Sequence, residues 1–231
     1  MDEHHLSERL QTVASFVPQG ARIADIGADH AYLAAALVLS GKVDYAVAGE
    51  VAKGPFENAV EEVRSQGLAK HIQLRLADGL AAINNDDRID TIIIAGMGGS
   101  LIRRILDEGQ AKLPTVKRLI LQPNVGEPSL RRWLAAHRFQ INHEQMVAED
   151  GHVYEIIVAD PVGMPVRYDQ RELMFGPLLL EKGGPVFRQK WLDELARDKE
   201  TVKQMQQAKQ VPVEKEREFQ QRIKLIKEVL G

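Results

Sequence analysis

The chain has 231 residues, 44% hydrophobic and 27% charged, with a formal net charge of −3, enough for one sizeable core and an appendage. It contains no cysteine, which excludes disulfides, thiolate nucleophiles and thiolate metal sites. No run approaches the roughly 18 apolar residues of a membrane span, and Met1-Asp2-Glu3-His4-His5 lacks the basic-then-apolar order of a signal peptide, so a cytoplasmic location is expected.

The first predicted element is a helix over residues 6–17, with Leu6, Leu10, Val13 and Val17 on one face and Pro18-Gln19-Gly20 as its stop. It is expected to pack beside the first strand. Strand and helix then alternate, the pattern of a parallel sheet with crossover helices. Arg22 to Ile26 is the first strand, followed by a helix from about Ala31 to Leu39. Tyr45 to Gly49 is the second, and Pro55 lies in the first turn of a helix running to about Gln66. Ile72 to Leu76 is the third and Thr91 to Ala95 the fourth, after which Ser100 can cap a helix to about Leu106. Arg118 to Gln122 is the fifth, with a helix around Ser129 to His137 behind it.

Two alternating segments, Gln140 to Ala148 and His152 to Ala159, flank Asp150-Gly151, a strong hairpin signal. Five parallel strands closed by an antiparallel hairpin make the sheet of the Rossmann-like class I methyltransferases; a dinucleotide fold would add a parallel sixth strand. Beyond Pro161, prolines and glycines mark a linker around one short helix near Arg171 to Phe175. From about Val186 two apolar stripes follow, Trp191, Leu195, Val202, Met205 and then Phe219, Ile223, Ile226, Leu230. They predict an antiparallel coiled-coil hairpin turning near Gln210 to Val213. The expected division is a cofactor-binding domain over 1–160 and a linker with helical domain over 161–231. Residues 1–160 carry 16 Lys/Arg against 22 Asp/Glu, whereas 161–231 carry 14 against 11, which predicts a basic surface on the C-terminal part.

The candidate site lies at the strand ends. Asp25-Ile26-Gly27 closes the first strand, and Gly27 permits close backbone approach. The Gly-x-Gly-x-x-Gly of a dinucleotide site is missing: Ala28, Asp29 and His30 follow instead, and a pyrophosphate would meet Asp29. A cofactor with a positive charge, an amino acid end and a ribose suits this loop, and S-adenosylmethionine fits. Glu50, 25 residues on, can accept from both ribose hydroxyls. Asp78 is placed for the exocyclic amine of an adenine, with Gly79 and Leu80 as backbone contact and apolar wall. Gly96-Met97-Gly98-Gly99 gives a loop free to approach the cofactor, Met97 supplying a soft surface for a flat ring. Gln122-Pro123-Asn124 offers amides that can read the edge of a base. Each motif alone also has a structural reading: a solvated strand-end acid, an Asp-Gly turn, a glycine-rich connection.

Taken together, Ala24 to Leu33, Ala48-Gly49-Glu50-Val51 with Gly54-Pro55, Arg75 with Asp78-Gly79-Leu80, and Ile94 to Gly99 resemble the bacterial tRNA (adenine-22)-N1-methyltransferases. So do Gln122-Pro123-Asn124, Glu149-Asp150-Gly151 with Tyr154-Glu155, and Phe175-Gly176-Pro177 before Pro185-Val186-Phe187. The likeness spans essentially the whole chain, the C-terminal coiled coil included. Ala34 departs from it, where the family is expected to favour proline. The resemblance implies S-adenosylmethionine as methyl donor, N1 of a tRNA adenine as acceptor, and a donor site of Asp25, Gly27, Asp29, His30, Glu50, Val51, Asp78, Gly79 and Gly96 to Gly98. Catalysis is assigned to Asp29, with Asn124 orienting the base. Tyr32, Gln122, Pro123, Asn124, Lys190, Arg197, Lys203 and Lys209 form the expected RNA-facing set, since methylating a base inside folded tRNA requires extruding it and a basic arm can hold the backbone meanwhile. No metal or membrane partner is expected, and the oligomeric state is monomer or a weak dimer through the coiled coil. A sensor module that binds the cofactor without catalysis, and a small-molecule methyltransferase, are the alternatives; no inserted lid for a small substrate is evident.

Overall fold

The structure, a computed structural model, describes residues 6–207 and 213–231. Its centre is a seven-stranded sheet in the order β3-β2-β1-β4-β5-β7-β6. The strands β1 (Arg22–Ile26), β2 (Tyr45–Glu50), β3 (Ile72–Leu76), β4 (Thr91–Met97) and β5 (Arg118–Pro123) are parallel to their neighbours. Strand β7 (His152–Pro161) lies between β5 and β6 (Phe139–Glu149), antiparallel to both. Asp150 and Gly151 turn the hairpin with φ of 49° and 76°, the two left-handed residues that a tight turn matching the strand twist requires.

Helices cover both faces, which is why the central strands β4 and β5 carry nearly unbroken apolar runs. Helices α1 (Glu8–Ser15), α2 (Tyr32–Leu39) and α3 (Lys53–Ser65) close one core with Val13, Ile23, Leu37, Val63 and Ile93. On the other face α4 (Gly99–Glu108) and α5 (Glu127–Ala136) pack over Ile92, Ile94, Ile102, Leu130 and Leu134. A fully buried residue of this kind contributes about 1.5–3 kcal/mol by leaving water. Two local expectations change. Helix α1 lies mainly against the β6–β7 hairpin and α2, not β1, because Val13 and Val17 share a core with Val147 and Ile156. Gly98 holds the cap position of α4 and Ser100 lies inside the helix.

After the sheet come α6 (Gln170–Phe175), α7 (Pro177–Lys182), α8 (Pro185–Gln206) and α9 (Val213–Leu230). The expected linker thus holds a second short helix: Pro177, like Pro185, starts a helix from its first turn, where its missing N–H costs nothing. Helices α8 and α9 are antiparallel, since Arg188 donates to the Leu230 carbonyl at 2.9 Å and Gln206 to Glu216 at 2.6 Å. Phe175, Leu179, Phe187, Trp191 and Ile226 form a third, smaller core. The hairpin turn expected at 210–213 falls, save Val213, outside the described residues.

A buried ion cluster joins this appendage to the sheet. Arg131 of α5 is wholly buried; its Nε donates to Glu144 of β6 at 2.8 Å, one terminal nitrogen donates to Glu155 of β7, and the other to the Leu173 carbonyl of α6 at 3.1 Å. Glu144 also accepts from the Leu178 amide of α7 at 2.9 Å, and Lys190 of α8 bridges Glu155 at 2.6 Å and Glu127 at 2.9 Å. Against the upward push of burial, Lys190 holds Glu127 below the ordinary carboxylate range. Removing one partner of such a cluster strands buried charge, at about 3–5 kcal/mol. Arg131→Met is therefore expected to lower the unfolding free energy by about that amount in urea denaturation, whereas Arg197→Ala, on the exposed face of α8, should change it by less than about 0.5 kcal/mol.

Candidate functional site

Chain order runs outward from β1 to β3 and then returns to β4 and β5, so the crevice beyond the carboxyl ends of β1 and β4 is the place where an open α/β sheet binds ligands. Asp25, paired in register with Ala48 and Ile93, stands there almost fully buried at 5% exposure. Among the described residues no donor reaches its carboxylate. Burial, and secondly the nearby Glu50 carboxylate, push its pKa up to about 7.

Glu50 closes β2, and one of its oxygens accepts from the Val51 and Ala52 amides, each at 2.8 Å. The amides of Gly27 and Ala28 donate to the Gly49 carbonyl at 2.8 and 3.1 Å. They hold the loop onto β2, and the loop presents carboxylates. The Asp29 side chain is 75% exposed, 3.5 Å from His30 Nε2, and His30 stacks on Tyr32 at 5.1 Å. His30 and Ala31 both take left-handed backbone angles, with φ of 57° and 56°.

Beyond β3, Asp78 is exposed beside Gly79, while the Leu80 side chain is buried in the core. Leu80 therefore offers a ligand its backbone and not the expected wall. Val51 and Leu76, 66% and 51% exposed, supply the apolar surface at this edge. In the sequence Leu76 reads only as the last residue of a strand. The Met97 side chain covers Gly27 so closely that a Cβ there would meet its methyl at 2.0 Å.

The loops after β4 and β5 are zipped together. Gln122 Oε1 accepts from the Gly96 amide at 3.0 Å, and its Nε2 donates to Asn124 Oδ1 at 3.1 Å. Asn124 Nδ2 donates to the Gly96 carbonyl at 2.8 Å, and the Asn124 amide to the Met97 carbonyl at 2.8 Å. Gly99 permits the next contact, since a Cβ there would lie 2.7 Å from the Gly126 carbonyl. Gln122 and Pro123 are buried and Asn124 is exposed. Gln122 and Pro123 are thus withdrawn as base readers: their side chains build the loop that carries Asn124. Arg9 of α1 also enters this network, donating to Gln122 Oε1 at 2.6 Å; nothing local in the sequence marks a contact across that separation.

From Asn124 an open groove of about 1680 Å³ runs between the β6–β7 hairpin and helices α8 and α9, lined by Val125, Tyr154, Gln170, Arg197 and Arg222 among others. Lys190 also lines it but is committed to Glu127 and Glu155 and only 13% exposed. It is therefore withdrawn from the RNA-facing set. Arg197 is 69% exposed although bonded to Glu194, Lys203 is exposed, and Lys209 lies outside the described residues. Among the described residues no cluster of three His, Asp or Glu side chains is arranged for a metal ion, and no helix is long and apolar enough to cross a membrane.

Comparison with known proteins bears on this arrangement. The family model for tRNA (adenine(22)-N(1))-methyltransferase matches residues 23–228. The chain is 42% identical to the Bacillus subtilis tRNA (adenine(22)-N(1))-methyltransferase over 236 aligned positions, covering 100% of this chain and 99% of that one. A Streptococcus pneumoniae structure in complex with S-adenosyl-L-methionine superposes with a TM-score of 0.90 at 45% identity, covering 98% and 100% of the two chains. A Mycoplasma capricolum relative in complex with S-adenosyl-homocysteine superposes with a TM-score of 0.87 at 28% identity, covering 97% of each.

Burial gives Asp25 a testable signature. Its folded-state pKa of about 7 lies above the ordinary 3.8, so the folded chain holds this proton more tightly than the unfolded one. The carboxyl costs nothing below about pH 4, increasingly more as pH rises to about 7, and a constant amount beyond. The stability difference between wild type and Asp25→Asn should therefore move in favour of the variant, by on the order of a few kcal/mol, between pH 4 and pH 8. Urea unfolding of both proteins across that range checks this; a difference independent of pH refutes it.

Proposed function

The chain belongs to the tRNA (adenine(22)-N(1))-methyltransferase family, and from that premise we propose how its own residues hold the methyl donor and present the adenine. The enzyme methylates N1 of adenine 22 in tRNA and uses S-adenosylmethionine. The observation that carries the site assignment is Asp25: a buried carboxylate with no donor among the described residues, beside a second carboxylate, is stabilised by a cation. A cofactor bearing an ammonium and a sulfonium fits that demand, and a pyrophosphate does not.

On this reading Asp25 faces the charged end of the cofactor, and the amide-anchored Glu50 turns its other oxygen to the ribose hydroxyls. Asp78 accepts from the adenine amine, Val51 and Leu76 flank the ring, and Met97 covers the loop at Gly27. The bound cofactor supplies an electrophilic methyl on sulfur. The protein's share of the chemistry is alignment, which in a reaction of two held partners can supply about 7–11 kcal/mol of the barrier. Asn124, tied to Gly96 and Gln122, keeps one amide hydrogen and one oxygen lone pair for the target base. Asp29 faces the positive charge that develops on the methylated adenine. Val125, 67% exposed next to Asn124, is an apolar surface for the space left in an extruded stack.

Residues 1–160 form the cofactor-binding part and 161–231 the part that grips RNA, with the phosphate backbone running along the groove past Arg197 and Lys203. Pairing of α8 with α9 within one chain uses the apolar stripes internally and supports a monomer. A cytoplasmic site of action follows from the tRNA substrate.

Four outcomes test this reading. Labelled S-adenosylmethionine and unmodified tRNA should give label at N1 of adenine 22. Asp25→Asn should weaken cofactor binding at least about 10-fold in calorimetry, whereas Asn124→Ala should lower kcat about 10- to 100-fold with cofactor affinity unchanged. For the RNA surface, Lys203→Glu should raise the tRNA Kd and reduce the salt slope by about one phosphate contact; an unchanged slope removes Lys203 from the interface.

A further inference from the structure

Arg9 takes part in neither the expected cofactor set nor the expected RNA set, yet it is tied to the loop that carries Asn124. Its backbone amide donates to Glu149 Oε1 at 3.3 Å, its guanidinium lies over the Tyr154 ring at 5.3 Å, and one terminal nitrogen donates to Gln122 Oε1 at 2.6 Å. A Cβ on Gly96 would sit 3.9 Å from that same nitrogen. The side chain is 19% exposed, so the charge-assisted bond is only partly weakened by water.

We propose that Arg9 is a positioning residue for methyl transfer, acting through Gln122 to fix the direction of the amide chain that ends at Asn124. This rests on the functional reading above. With Oε1 of the buried Gln122 accepting from both Arg9 and the Gly96 amide, Nε2 is the only end left for Asn124 Oδ1, and Asn124 Nδ2 in turn must donate to the Gly96 carbonyl. Turning the Gln122 amide over would set its NH2 group against two donors at once. The free hydrogen and free lone pair of Asn124 are thereby held at fixed places facing the base.

The helix does not need this contact in order to dock. Val13 and Val17 anchor α1 in the core and Ser7 caps it. What the Arg9 head group adds is order at the catalytic edge, and small losses of alignment there are costly, up to about 100-fold for a displacement near 1 Å.

The test is a double-mutant cycle in kcat with saturating tRNA and cofactor, using wild type, Arg9→Met, Gln122→Met and the double variant. Arg9→Met should lower kcat about 10-fold or more while cofactor Kd and tRNA KM stay within about 2-fold, and it should add less than about 2-fold in the Gln122→Met background. Arg9→Lys, which keeps the charge on a single-pronged donor, should recover part of the loss. If Arg9→Met does not fold, Arg9→Gln carries the same cycle with a neutral donor. Full kcat in Arg9→Met, or additive effects of the two substitutions, overturns the proposal. So does a raised tRNA KM with a reduced salt slope, which would make Arg9 a phosphate ligand. Wild-type transfer to adenine 22 is the reference: its absence overturns the functional reading and this role with it, whereas normal wild-type transfer with an unaffected Arg9→Met overturns the role of Arg9 alone.

Discussion

The Arg131 guanidinium sits where the sheet, the α5 helix and the C-terminal helices meet, and the relative placement of all three depends on it. A buried cation is tolerated only when its donors are satisfied, and here they reach Glu144, Glu155 and the Leu173 carbonyl. The packing leaves room for nothing else: a Cβ on Gly176 would come within 2.7 Å of Glu144 and 2.8 Å of Arg131. Ion clusters of this kind contribute modest net stability, but they penalise every arrangement in which one member is left alone. The effect on function is geometric. Glu127, bonded to Lys190 of α8, is the first residue of α5 and follows directly on the loop bearing Asn124, so the contact that docks the helical appendage also pins the Asn124 loop.

At the carboxyl edge of the sheet, the distribution of donors decides the chemistry. The Gly27 and Ala28 amides are spent on Gly49, and the acidic side chains at the crevice are Asp25, Glu50, Asp78 and Asp29. Such an edge attracts a cationic ligand and repels phosphates. The groove beside α8 is lined by both signs, Arg132, Arg197 and Arg222 with Asp193, Glu194 and Glu218, and Arg197 and Lys203 are exposed cations on α8.

Much of this was legible in the sequence because the strands are buried on both faces. Continuous apolar runs such as Thr91 to Ile94 and Leu119 to Leu121 mark themselves, and β1 and β3 keep the bounds read from the chain. The acids at three strand ends were legible for the same reason, since the end of a run fixes where a side chain emerges. Helix α7 was not, because Pro177 and Gly183 look alike whether they break a helix or delimit a short one. The burial of Lys190 was not legible, because a cation on a helical face carries no sign of Glu155, which lies 35 residues earlier. Gln122 and Asn124 sit two residues apart with similar chemistry, yet one is buried and the other exposed; what separates them is Gln122 pairing with Ala95 across β4 and β5 while its side chain accepts from the Gly96 amide. Arg9 was beyond local reading altogether, its partner being 113 positions away.

The cofactor loop carries the remaining tension between sequence and conformation. His30 and Ala31 are both left-handed, a state costing roughly 1–2 kcal/mol for a residue with a side chain, where glycine would be free of that cost. The loop holds because its neighbours over-determine it: the Gly49 carbonyl fixes Gly27 and Ala28, and Leu33, Ala34, Ala35 and Leu37 commit α2 to the core immediately afterwards. The chain must turn sharply between these anchors, and the turn leaves Asp29 and His30 toward solvent. A glycine at 30 or 31 would relax that turn and with it the placement of the Asp29 carboxylate. Strain persisting at a ligand-facing loop is what rigid presentation of a side chain requires, and it is consistent with a reaction in which the protein contributes alignment more than acid or base.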